Sequence, residues 1–146
     1  MKKIVLTVLG SLVVAACATL SQANMDWIDI GPTFPAKSAA NVEIFTSPQE
    51  ITHPYGNIGL LRVKNLSPDR DTLKRGVEQA RKYVASKGAD AMFLGQYNSA
   101  EDGSANPKVT LIVYAIKYAD NLTEADFKAM DEFEVEGALN STVNIR

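Results

Sequence analysis

Residues 67–94 read SPDRDTLKRGVEQARKYVASKGADAMFL, and the fold class turns on them. Leu73, Val77, Ala80 and Val84 recur at steps of four, three and four, which draws one apolar stripe along a helix, with Tyr83 beside it. Ser67 can cap the free amides at the start and Pro68 suits the first helical position. Gly88 supplies the left-handed residue that commonly ends a helix. The spacing therefore predicts a helix from Pro68 to Lys87. Arg70, Lys74, Arg75, Arg81, Lys82 and Lys87 lie mostly off the stripe, against Asp69, Asp71 and Glu78. Such a face is usually solvated; its functional reading is weak electrostatic docking to lipid headgroups or an acidic partner. Ala89-Asp90-Ala91 then turns directly into Met92 to Tyr97, a predicted strand.

Working outward, Asn41 to Thr46 places Val42 and Ile44 on one face of a first strand, which Ser47-Pro48 ends. A turn-rich stretch from Pro48 to Gly56 leads to a second strand, Asn57 to Leu66. Apolar side chains fall on both of its faces, as in a buried strand, and Gly59 admits a close neighbour. Lys108 to Tyr118 is apolar on both faces in its middle and is expected to be central. Asn98 to Pro107 is a long connecting loop rich in polar and turn residues. Strand, helix, strand implies that 57–66 and 92–97 run parallel through a right-handed crossover, while 92–97 and 108–118 form an antiparallel hairpin. The expected fold is α/β, a two-layer sandwich with a mixed sheet of about four strands, one main helix on one face and a short C-terminal helix. That last helix, from about Glu124 to Phe133, follows from a capping-box-like Thr123 and Asp126 and an apolar stripe of Phe127, Met130 and Phe133. It lies in an acidic run, Asp120 to Glu136, that lacks the alternation and glycine of a calcium loop.

The amino terminus reads as an address. Met1-Lys2-Lys3 is positive and Ile4 to Ala16 is an apolar run too short to cross a bilayer as a mature helix, so residues 1–16 are expected to be an export signal. Cys17 is the only cysteine and follows Val14-Ala15-Ala16 directly. This resembles the lipobox of bacterial lipoproteins, which implies cleavage before Cys17 and lipidation of its thiol and amine, with acyl chains at ~0.8 kcal/mol per buried methylene as the anchor. Ordinary cleavage after Ala18 or Ala23 and a cysteine that merely packs in an apolar segment are the alternatives. By analogy with enteric sorting, Ala18 in the second mature position favours the outer membrane, with the domain facing the periplasm. Residues 17–40 are then the lipidated cysteine and a tether, 41–118 the α/β domain and 119–146 the acidic helix and tail. The 23 residues after Cys17 would reach roughly 75 Å if extended. Trp27, Ile28, Ile30 and Phe34 are too apolar for a pure spacer and are expected to fold back onto the domain, a partner-binding aromatic patch being the other reading.

The strand ending in Ser47-Pro48, Tyr55 before Ile58-Gly59, and Gly88-Ala89-Asp90-Ala91 after the helix resemble a broad class of small bacterial envelope lipoproteins. The pattern is similar to the stress-sensor lipoprotein domain of the Rcs pathway and, more distantly, to a small cytoplasmic heavy-metal-binding-like family with the same turn. The resemblance spans residues 41–118 and implies the fold; no functional residue is carried over from it.

Composition narrows the function classes. At 146 residues, 46% apolar, the chain has room for one ordinary domain, and a net charge of −2 is unlike a strongly basic nucleic-acid-binding domain. The only histidine, His53, sits in the turn His53-Pro54-Tyr55-Gly56 without a nucleophile-elbow motif, and is expected to hydrogen-bond a loop. One histidine and one lipidated cysteine do not assemble the common zinc sets, and no phosphate-cradling glycine loop is present. No catalytic, metal-binding or cofactor-binding residue is therefore assigned, and no cofactor is expected. Tyr55, Tyr97, Tyr114 and Tyr118 read as sheet packing. The expected function is a noncatalytic, membrane-tethered binding or stress-sensor module, with the membrane and an envelope protein as partners. A carboxylate-based hydrolase acting in the envelope and a structural subunit of an envelope complex stay open as alternatives.

Overall fold

The computed structural model describes residues 24–95, 98–99 and 107–132. The expected signal segment, Cys17, most of the 98–107 loop, Tyr97 and Phe133 lie outside these residues. Six strands form one mixed sheet: β1 (Met25–Asp29), β2 (Glu43–Phe45), β3 (Tyr55–Leu66), β4 (Ala91–Leu94), β5 (Asn98–Ser99) and β6 (Val109–Tyr118). The order is β1-β3-β6-β4-β2, with β5 pairing β6 beyond the end of β4. Helix α1 spans Arg70–Ser86, and a second helix, α2, occupies 124–132. The α/β reading holds, with one strand more along the main path than expected, besides the short β5.

The added strand comes from the segment expected to be tether. β1 pairs antiparallel with β3 from Met25 opposite Val63 to Asp29 opposite Gly59. The folded domain therefore includes residues well upstream of 41, and the apolar character of Trp27 is explained by burial. Its indole lies across Gly59: a Cβ there would stand 2.0 Å from Trp27 Cζ2. Only glycine leaves that space, the close approach that Gly59 suggests within a strand. Tyr83 of α1 flanks the indole, ring centroids 5.7 Å apart, with the Lys87 ammonium 5.6 Å from the Trp27 ring.

β6 is central, as its two apolar faces require. It is antiparallel to both β3 and β4, so those two strands share a direction with β6 lying between them. Odd residues of β6 (Val109, Leu111, Val113, Ala115) face the helices and join Leu61, Val63, Met92, Ala80 and Val84 in the main core. Ile116 and Tyr118 face the other side, with Ala91, Phe45, Ile51 and Phe93. Phe93 stacks on Tyr114 with centroids 4.5 Å apart, so Tyr114 serves sheet packing.

Helix α1 starts two residues later than the Ser67 cap implies. Asp69 is the cap, its Oδ1 accepting the Thr72 amide at 2.9 Å, because an aspartate after Pro68 reaches the free amides better placed than Ser67. That donor, a hydrogen bond from the Thr72 amide and side chain, holds the Asp69 carboxyl below its ordinary pKa. At the other end Gly88 has φ +78°, the expected left-handed residue, and packs against Phe34. Arg81, expected in the solvated face, instead donates from Nε to the Val42 carbonyl at 2.9 Å and from a terminal nitrogen to Ala40 at 3.1 Å. It thereby ties α1 to the turn that precedes β2.

Candidate functional site

At the end of the sheet where β3 begins and β6 finishes, the inward-facing row of β6 changes chemistry. Val109, Leu111, Val113 and Ala115 are followed in the same register by Lys117, whose side chain is only 4% exposed. A buried ammonium needs paired charge, and the surrounding elements supply it. Asp126, in the first turn of α2, stands 3.2 Å from Lys117 Nζ, and Asp90, from the turn between α1 and β4, stands 3.8 Å away. The Phe34 ring covers the ammonium at 4.9 Å.

Each carboxylate is further satisfied. Asp90 Oδ2 accepts the Tyr118 amide at 2.9 Å, and its Oδ1 accepts a hydrogen bond from the Lys37 ammonium. Asp126 Oδ2 accepts both the amide and the hydroxyl of Thr123 at 2.8 Å, while Thr123 Oγ1 takes the Asp126 amide at 3.3 Å. This is the reciprocal capping box expected of Thr123 and Asp126, with its acid turned to a second use on Lys117. Burial alone would raise the Asp126 pKa, but the Thr123 donors and the Lys117 charge outweigh it and hold the carboxyl below its ordinary value. Two ammonium groups thus face two carboxylates. The four come from the 32–38 segment, the α1–β4 turn, β6 and α2, so the cluster fastens four parts of the chain at one point.

Beside it, Tyr118 turns to the other face and donates its hydroxyl to Glu43. Burial first, then the hydrogen bond and charge of Glu43, push the phenol pKa far up, so Tyr118 stays a neutral donor. Glu43, Tyr118, Asp90, Lys37, Asn41 and Asn121 line a polar cleft of about 400 Å³. A smaller apolar recess of about 190 Å³ is lined in part by Pro32, Phe34, Ile58, Lys117, Leu122 and Met130. The cleft offers hydrogen-bond donors and acceptors of both charges, suited to holding a polar group of a partner. Its two carboxylates are engaged by Tyr118, Lys37 and Lys117.

His53 is exposed, 3.3 Å from Asp120 through Nδ1, with its ring 4.9 Å from that of Tyr118. It joins the loop before β3 to the turn after β6, a link repeated by the Ala119 amide on the Pro54 carbonyl at 2.9 Å. This is the loop hydrogen bond expected of it. Among the described residues, no group of three His, Cys, Asp or Glu side chains is placed to hold a metal ion. No helix of the described residues is long and apolar enough to cross a membrane. In α2, Met130 is half-buried but Phe127 is 54% exposed, so the expected apolar stripe reaches the core only in part.

The Asp90, Lys117 and Asp126 cluster is not among the sites expected from the sequence, although one signal for it is present. A lysine in the inward-facing register of a strand otherwise apolar on that face calls for buried acids nearby. Which acids answer depends on the turn before β4 and on how α2 folds back, and neither is a matter of periodicity.

No protein-family model matches the chain. No curated protein matches it. Among solved structures it is similar to the crystal structure of the Francisella virulence factor FvfA, over 62% of this chain and 96% of that one, at 17% identity and a TM-score of 0.42.

Proposed function

We propose that the protein is a lipid-anchored lipoprotein of a bacterial envelope whose domain is a noncatalytic binding or stress-sensor module facing the periplasm, in the manner of the small envelope lipoproteins it resembles. The observation that carries this reading is Val14-Ala15-Ala16-Cys17 at the end of a short apolar run. The folded domain begins a few residues further on, with Met25 as the first residue of β1, which suits a domain held close to its anchor. The polar cleft at the other end of the sheet supports the binding role, since its donors and acceptors are presented on a frame locked by buried ion pairs. By the sorting analogy Ala18 assigns the anchor to the outer membrane.

Metabolic labelling with a fatty acid, followed by mass analysis of the mature amino terminus, tests the anchor. Labelling is expected on the natural protein and is expected to vanish, with release or mislocalisation of the protein, in Cys17→Ser. Undiminished labelling of that variant, or a mature terminus downstream of Cys17, refutes the anchor.

A further inference from the structure

We infer that the domain stands on an anionic phospholipid surface with one particular end down: the end formed by the start of β1, the end of β3 and the first turn of α1. This rests on the anchor at Cys17 proposed above. Seven residues, and so eight Cα-to-Cα steps, separate Cys17 from Met25, a reach of at most about 28 Å and nearer ~16 Å for a relaxed coil. Where that reach is applied is fixed by the register. Met25 lies opposite Val63, and the Asn24 side-chain oxygen accepts a hydrogen bond from Asn65 at 3.3 Å, both near the end of β3. The polar cleft lies at the other end, where Tyr55 opposes Tyr118. Eight residue steps of β3, from Tyr55 to Val63, separate these levels, roughly 26 Å at the rise of a strand. Turning the cleft toward the bilayer would therefore require the connecting segment to be drawn almost straight.

Charge acts in the same direction. Among the described residues, the near end exposes or half-exposes Lys64, Arg70, Lys74 and Lys108, against Asp69 and Asp71. The third carboxylate among the described residues of this end, Asp26, is engaged by Arg62 and lies 3.2 Å from Lys64. The far end exposes Asp120, Glu124, Asp131 and Glu132 in a stretch whose only exposed cation is Lys128. A negative bilayer surface attracts the first set and repels the second, within a Debye length of about 10 Å. The cleft is then the part of the molecule held away from the membrane, open to a partner in the aqueous space.

The test uses the mature lipidated protein in vesicles of phosphatidylglycerol and phosphatidylethanolamine that carry an energy-transfer acceptor on a fraction of the headgroups. A donor fluorophore is attached at Asp71→Cys or Glu124→Cys, both exposed helical positions that lose the same charge. Mass analysis first establishes the lipid on Cys17. Transfer is expected to be greater from position 71 than from position 124. Arg70→Gln with Lys108→Gln is expected to weaken the preference for this posture roughly thirtyfold, narrowing the difference, and phosphatidylcholine vesicles should narrow it as well. With lipid present on Cys17, equal or greater transfer from position 124 overturns the orientation while leaving the anchor in place. A preference for position 71 that neither the double variant nor neutral lipid alters overturns the anionic surface as its cause. Absence of lipid on Cys17 removes the anchor, and the orientation with it.

Discussion

Lys117→Met isolates the cluster at the end of the sheet. Methionine keeps most of the side-chain volume and removes the charge, so the effect is electrostatic rather than a cavity. In the natural protein the ammonium lies 3.2 Å from Asp126 and 3.8 Å from Asp90, and all three side chains are almost fully buried. Asp90 keeps Lys37 and the Tyr118 amide after the change. Among the described residues, Asp126 then keeps only the Thr123 donors and becomes a buried carboxylate without a cation. Breaking a buried pair costs about 3–5 kcal/mol, and the position of Lys117 on the wall of the apolar recess places this case at about 3 kcal/mol at pH 7. The pH dependence has a definite sign. The folded-state pKa of Asp126 is depressed, so its contribution is present above the ordinary carboxylate range and is lost as pH falls through the folded value. The variant lacks that contribution, so the gap between the two proteins narrows as pH falls toward and below about 4. Urea unfolding followed through Trp27, the only tryptophan, measures both quantities. Adding Asp126→Asn to Lys117→Met should recover more than half of the loss, because the unpaired charge is gone. A cost below about 1 kcal/mol at pH 7, or a double variant no more stable than the single, would refute the assignment of this cluster as a structural fastening.

Gly59→Ala should cost about 2–4 kcal/mol and alter the tryptophan emission, since the new methyl group would occupy the place of the Trp27 indole; an unchanged spectrum and melting curve would contradict the packing of β1. Val113→Asp, at a fully buried position of the central strand, should prevent folding, whereas Val77→Asp, half-buried on α1, should give a folded but weakened protein by circular dichroism. Phe127→Ser should change stability by less than about 0.5 kcal/mol in the same urea titration, because the ring is more than half exposed.

The parts of the fold legible in the sequence are those that local periodicity and end signals determine. The stripe of Leu73, Val77, Ala80 and Val84 marks α1, Gly88 marks its end, and the doubly apolar run of 108–118 marks the central strand. β1 is less legible because Met25 to Asp29 is short, carries an aspartate at two of its five positions and lies among turn residues. Its strand character comes from pairing with β3, a long-range contact to which local propensity is blind. The start of α1 lies two residues beyond the one the sequence predicts for a related reason, two competent caps, Ser67 and Asp69, lying within three positions of each other. The cleft is the least legible element. Glu43, Asp90, Tyr118 and Asn121 are unremarkable polar residues in sequence and meet only because the strand order brings β2 and the end of β6 to the same end of the sheet.

The place of β1 also has a mechanical consequence. The chain enters at Met25 and runs along the edge of the sheet toward the cleft, with five residues in register against β3 and two further amides, of Ile30 and Gly31, on the Ile58 carbonyl at 3.1 and 3.0 Å. A load applied upstream of Met25 and opposed at the cleft pulls β1 along its own axis. The strand is then loaded in shear, so its hydrogen bonds share the force and must yield together, instead of opening one after another like a zipper. The segment that looks like a leash is the part of the domain built to resist being drawn out.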